Sequence, residues 1–121
     1  MISNIKMSMP AGDTLTLKIP LNVDAPPAFD PTGATGTWTL AKAAASTGAD
    51  ILLTKTTTDG GASFQQDADG LWWIWVPLAE DDTATRASTT AYFQTARVNE
   101  ANGGRFHVMS GTLTVTAVPD P

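Results

Sequence analysis

Apolar and hydroxylated side chains alternate along most of this chain with a period of two residues. That spacing sends successive side chains to opposite sides of an extended ribbon. It commits a segment to a half-buried strand, since a helix repeats near 3.6 residues. In 14–21, TLTLKIPL, the residues Leu15, Leu17, Ile19 and Leu21 share one face, and Thr14, Thr16, Lys18 and Pro20 the other. The proline on the outer face places this strand at a sheet edge or at its own end. GTWTLAK repeats the pattern, with Gly36, Trp38 and Leu40 inward. Short strands are expected over 51–55 and 62–66. Tyr92, Gln94, Ala96 and Val98 alternate with Phe93, Thr95 and Arg97. The last run, RFHVMSGTLTVTAV, is long enough to need a bulge or kink, expected near Gly111.

Turn chemistry separates these runs. Asp59-Gly60-Gly61, Asp67-Ala68-Asp69-Gly70 and the stretch 99–104 supply residues that tolerate positive φ. Asn102-Gly103-Gly104, between two apolar runs, is the best hairpin signal. Pro26-Pro27 and Asp30-Pro31 make 23–33 an extended connection. Helix is sparse: 41–45 runs into Ser46-Thr47-Gly48 and is expected to be a loop tip. The acidic stretch 78–83 suits one helical turn, because carboxylates are favourable near a helix N-terminus. Seven to eight strands at this spacing predict an all-β, immunoglobulin-like antiparallel sandwich, as a single domain over 1–121. Residues 1–10 alternate only weakly and are expected to form an extended N-terminal arm.

The segment 70–78, GLWWIWVPL, admits two registers, and a one-residue slip exchanges its faces. One buries Trp72, Ile74, Val76 and Leu78; the other buries Leu71, Trp73, Trp75 and Pro77. The first gives an unbroken apolar row and leaves the proline outside, so it is preferred. Trp73 and Trp75 then stand together on the outer face, where paired indoles mark an interface, a surface covered by the chain itself, or a stacking platform for sugars. Trp38, within an inward row, is expected in the core.

Composition narrows the function classes. Cysteine is absent, so disulfides and thiolate metal sites are excluded. The net charge of −5, with only seven scattered Lys and Arg, argues against nucleic acid as a partner. No apolar run reaches the length of a membrane helix, and the N-terminus lacks the apolar core of a signal peptide. The sole histidine, His107, has no acid beside it in sequence, and no nucleophile elbow or phosphate-binding glycine loop is present. Carboxylates gather at Asp67/Asp69 and at Glu80/Asp81/Asp82. The first pair matches only a fragment of a calcium loop, which turn formation explains more simply. No enzymatic activity, cofactor or metal is therefore expected.

Several short stretches, in this order, resemble the immunoglobulin-like domain of bacteriophage tail and baseplate proteins, in particular the N-terminal domain of baseplate upper proteins. They are Gly12-Asp13-Thr14-Leu15-Thr16-Leu17, then Asp30-Pro31-Thr32-Gly33-Ala34-Thr35 before the Trp38 strand. Leu52-Leu53-Thr54-Lys55-Thr56 follows, then the 78–83 turn, Tyr92-Phe93, and Ser110-Gly111-Thr112-Leu113-Thr114-Val115. The resemblance spans roughly residues 5–117. It implies a virion structural protein, assembled in the host bacterial cytoplasm and partnered by other phage structural proteins or by copies of itself. The tryptophan cluster is richer than such strands need. No fibre, coiled coil or receptor-binding domain follows the module, so a tail or baseplate accessory, neck or capsid-decoration subunit is expected. Trp73 and Trp75 are the expected contact residues, joined by the adaptable side chains of Met7 and Met9 on the arm. A carbohydrate-binding module, stacking host glycans on exposed tryptophans, is the alternative.

Overall fold

A computed structural model describes residues 2–21, 31–43, 47–87 and 91–117. Most of the 23–33 connection and the centre of the 41–48 loop lie outside them. The described residues form eight strands: β1 (Ile2–Pro10), β2 (Leu15–Pro20), β3 (Thr35–Ala41), β4 (Ile51–Thr56), β5 (Ser63–Gln66), β6 (Trp72–Leu78), β7 (Tyr92–Asn99) and β8 (Arg105–Thr116). One helical turn, α1 (Glu80–Thr83), follows β6 at the place where its three consecutive acids suit a helix start.

The strands build two sheets, ordered β1-β8-β7-β3-β4 and β2-β6-β5. Their inward rows meet face to face as a sandwich. Leu17, Ile19, Ile74, Val76 and Leu78 come from the smaller sheet; Trp38, Leu40, Ala96, Val98, Leu113 and Val115 come from the larger. This is the strand grouping of an immunoglobulin-type sandwich, and two of its hallmarks appear. A tryptophan, Trp38, fills the centre of the core and has no exposed surface. At the start of β7 the Tyr92 hydroxyl donates to the Arg86 carbonyl oxygen at 2.7 Å, pinning the corner that precedes the strand. Two residues on, where antibody domains carry the second cysteine, stands the buried Gln94.

The corner around α1 is tied down by polar contacts. The Asp82 carboxylate accepts the Ala79 N–H at 2.8 Å and pairs with Lys55 Nζ at 2.9 Å. Arg86 donates to the carbonyls of Asp82 and Leu52. The buried Thr83 hydroxyl accepts the Gly12 N–H across 71 residues of sequence. These contacts join the two sheets at one end of the sandwich.

Four sequence expectations need correction. The arm is not free: β1 pairs with β8 from Ile2 to Pro10, and it does so in parallel. Parallel neighbours need a long connection, and here almost the whole domain supplies it. Met9 consequently belongs to the core, 3% exposed beside Val115, and is no interface residue in this chain. The irregularity in β8 lies at Val108, where Ala96 pairs with Met109 but Arg97 with His107. Val108 and Met109 are both buried there, and the inward row shifts from even to odd numbers, as one extra residue demands. Gly111 instead faces a bulge in β1, whose pairing jumps from Ile2 to Ile5. Leu15, expected inward, is 37% exposed, because it opens β2 at the end of the sandwich.

The hairpin between β7 and β8 forms as expected. Gly103 adopts φ 91°, and the Glu100 N–H donates to the Gly104 carbonyl at 2.7 Å.

Candidate functional site

Pairing within the smaller sheet sets the register of β6. Ile74, Val76 and Leu78 are buried, Pro77 is exposed, and Trp72 packs against the edge of the core. Trp73 and Trp75 therefore point away from the core, in the register that leaves the proline outside.

Cross-strand neighbours define what surrounds each indole. Trp73 lies between Pro20 of β2 and Gln65 of β5, and Trp75 between Lys18 and Ser63. Both rings are half-buried. The Lys18 ammonium sits 4.5 Å from the centre of the Trp75 ring, close enough for attraction to its negative face. The Trp73 indole N–H donates to Asp67 Oδ2 at 2.9 Å. Between the indoles and these polar groups opens a shallow hollow of about 270 Å³, lined also by Gln65 and Gln66. It has an apolar floor and a polar rim.

Asp67 is held in place by the turn it creates. Its Oδ1 accepts the N–H groups of Asp69 and Leu71, at 2.9 and 3.0 Å, and Gly70 completes the turn at φ 83°. The indole N–H of Trp73, followed by the Leu71 N–H, holds the Asp67 carboxyl below the usual aspartate range. A fixed carboxylate thus orients Trp73. Sequence reading explained Asp67 as a turn former but missed this second bond, whose only signal is the six-residue spacing.

Met7 occupies a different place. It is half-buried between β1 and β2 and, with Ile5, Leu17 and Met109, lines a narrow gap of about 60 Å³. Lys18 borders both this gap and the hollow beside the indoles, but Met7 does not line that hollow.

Among the described residues no group of three or more His, Cys, Asp or Glu side chains comes together in metal-binding geometry. Asp82, in the second acidic cluster, is committed to Lys55 and to the start of α1. No helix among the described residues is long and apolar enough to cross a membrane.

His107 lies exposed on the opposite side of the sandwich, paired across strands with Arg97. Neither known family models nor curated proteins give a match to the chain.

Proposed function

We propose that this chain is a non-enzymatic structural subunit of a bacteriophage particle, of the tail or baseplate accessory, neck or capsid-decoration kind. It docks on neighbouring particle proteins, or on copies of itself, through the Trp73–Trp75 face. The observation that carries this reading is the side-by-side placement of two half-buried indoles on the outer face of the three-stranded sheet. Tryptophan contributes a large share of the binding energy where proteins meet. The Asp67 bond and the Lys18 contact hold both rings before a partner arrives, which lowers the ordering cost of association. The motif order from Gly12 to Val115 supports the assignment to a phage particle.

The test is the double variant Trp73→Ala, Trp75→Ala. Expected is an unchanged circular-dichroism spectrum for the isolated domain together with loss of incorporation into particles. Normal incorporation would overturn the docking role, and global unfolding would assign the indoles to the fold. Size-exclusion chromatography with light scattering reads out self-association in the same two proteins.

A second reading rests on the polar rim. Gln65, Asp67 and Lys18 around an aromatic floor also suit a sugar, whose ring has an apolar face and hydroxyls at its edge. Quenching of tryptophan fluorescence by neutral oligosaccharides, lost in the double variant, would favour this host-glycan role over protein docking.

A further inference from the structure

The eight strands hold none of the chain's twelve acidic residues. Lys6, Lys18, Lys55, Arg97 and Arg105 are all in strands. An acidic protein therefore presents a cationic face. That face is the outer side of the five-stranded sheet, where Lys6, Arg97 and Arg105 alternate with inward-facing neighbours. Among the described residues, neither Arg97 nor His107 forms an ion pair; the two described pairs are Lys42–Asp50 and Lys55–Asp82.

Strand pairing arranges this face in three successive rows. Phe93, Ala41 and Ile51 form an apolar row. Thr95, Thr39 and Thr54 form a hydroxyl row, extended on β8 by Ser110. Arg97, flanked by His107 and Thr37, forms a cationic row. A shallow hollow of about 190 Å³ runs across all three. From Phe93 to Arg97 the strand advances about 13 Å, the reach of a short chain of units and more than one small ion needs.

We propose that this hollow is a binding site for an acidic saccharide, a sugar chain bearing carboxylates. Arg97, with its planar fork of donors, takes the carboxylate, and His107 adds a polar partner beside it. The threonine hydroxyls of Thr39 and Thr95 exchange hydrogen bonds with ring hydroxyls, and Phe93 and Ile51 cover an apolar ring face. An acidic peptide fits less well: it would seek unpaired backbone or side-chain pockets, whereas the hydroxyls of Thr39 and Thr95 stand on β3 and β7, interior strands paired on both sides. The site lies on the opposite sheet from Trp73 and Trp75 and does not depend on their role.

The test is a titration of the ¹⁵N-labelled chain with hexagalacturonate, followed by amide shifts. A neutral galactose hexamer and sodium sulfate at matched ionic strength serve as comparisons. Expected are shifts centred on residues 93–97 and 37–41 with the acidic hexamer alone. Arg97→Gln should weaken binding at least tenfold and His107→Ala several-fold. Lys42→Gln, which removes the same charge beyond the apolar row and away from Arg97, should stay within twofold of the parent. Circular dichroism of each variant verifies the fold. Equal binding of the neutral hexamer would remove the role of Arg97. Equal shifts with sulfate would reduce the site to a general anion contact. Undiminished binding by Arg97→Gln, or no binding of the acidic hexamer, would overturn the proposal.

Discussion

The Trp38 indole N–H donates to Gln94 Oε1 at 3.0 Å in the sealed centre of the sandwich, joining β3 to β7. The Gln94 amide also donates to the Thr112 carbonyl at 3.0 Å, so one buried polar side chain links three adjacent strands. In antibody-type domains a disulfide packs against the corresponding tryptophan. Here, without cysteine, the amide occupies that ground and satisfies the indole.

Removing that amide should be costly. Gln94→Ala leaves the Trp38 N–H buried without an acceptor and opens a cavity, for an expected loss of about 2–4 kcal/mol. Trp38→Phe leaves the Gln94 oxygen without its indole donor. The pair Trp38→Phe, Gln94→Ala should cost less than the sum of the single changes by roughly 1 kcal/mol, because both ends of the bond go together. Urea unfolding of the four proteins measures this coupling. Strict additivity would mean that the bond contributes nothing.

Tyr92→Phe removes only the hydroxyl that reaches the Arg86 carbonyl. The ring, half-buried and packed against the core, keeps its apolar contacts. The expected loss is about 1 kcal/mol, typical of one hydrogen bond. Amide exchange should quicken over residues 83–86 more than in β3. A uniform change across the domain would show that the hydroxyl does not act on this corner.

Much of this architecture is legible in the sequence because period-two alternation is a local signal. The register of β6 is the clearest case: Pro77 cannot donate a ladder bond and has an outside place in only one of the two registers. What escaped reading depends on partners far away in sequence. Nothing between Ile2 and Pro10 indicates that these residues pair with a strand about a hundred positions later. Met9 therefore resembles a residue on a loose arm until β8 is placed beside it. The bulge at Val108 is likewise a property of the β7–β8 pairing and not of either strand alone. The rows across Phe93, Thr95 and Arg97 exist only once β3, β4 and β8 lie next to β7.

Acid should loosen Trp73 before it affects the core. The Asp67 carboxyl is held below its usual range chiefly by the Trp73 N–H. A depressed folded-state value means that this contribution is present above the unfolded-state pKa and is lost as pH falls through the folded-state one. The window therefore lies below about pH 4. The indole N–H resonance of Trp73 should shift with a midpoint below pH 4 while that of Trp38 stays in place. Asp67→Asn should abolish the titration of the Trp73 signal. A Trp73 resonance that titrates equally in Asp67→Asn would place the responsive group elsewhere.

The seating of β1 on β8 depends on a missing side chain. A Cβ at Gly111 would collide with the Ile5 carbonyl oxygen and lie 2.8 Å from the Ile5 N and C atoms, all of them backbone and unable to swing aside. Gly111→Ala should therefore displace β1 from its bulge, with a loss of about 1–3 kcal/mol, the usual range for overpacking. The effect should be local: amide exchange along β1 should rise at least tenfold, while the Trp38–Gln94 region keeps its protection. Ser110→Ala is the matched control. Its side chain points away from the core in the same strand, so its stability should stay within about 0.5 kcal/mol of the parent. If the two variants behave alike, Ile5 does not lie over Gly111, and the parallel pairing of the first and last strands must be redrawn.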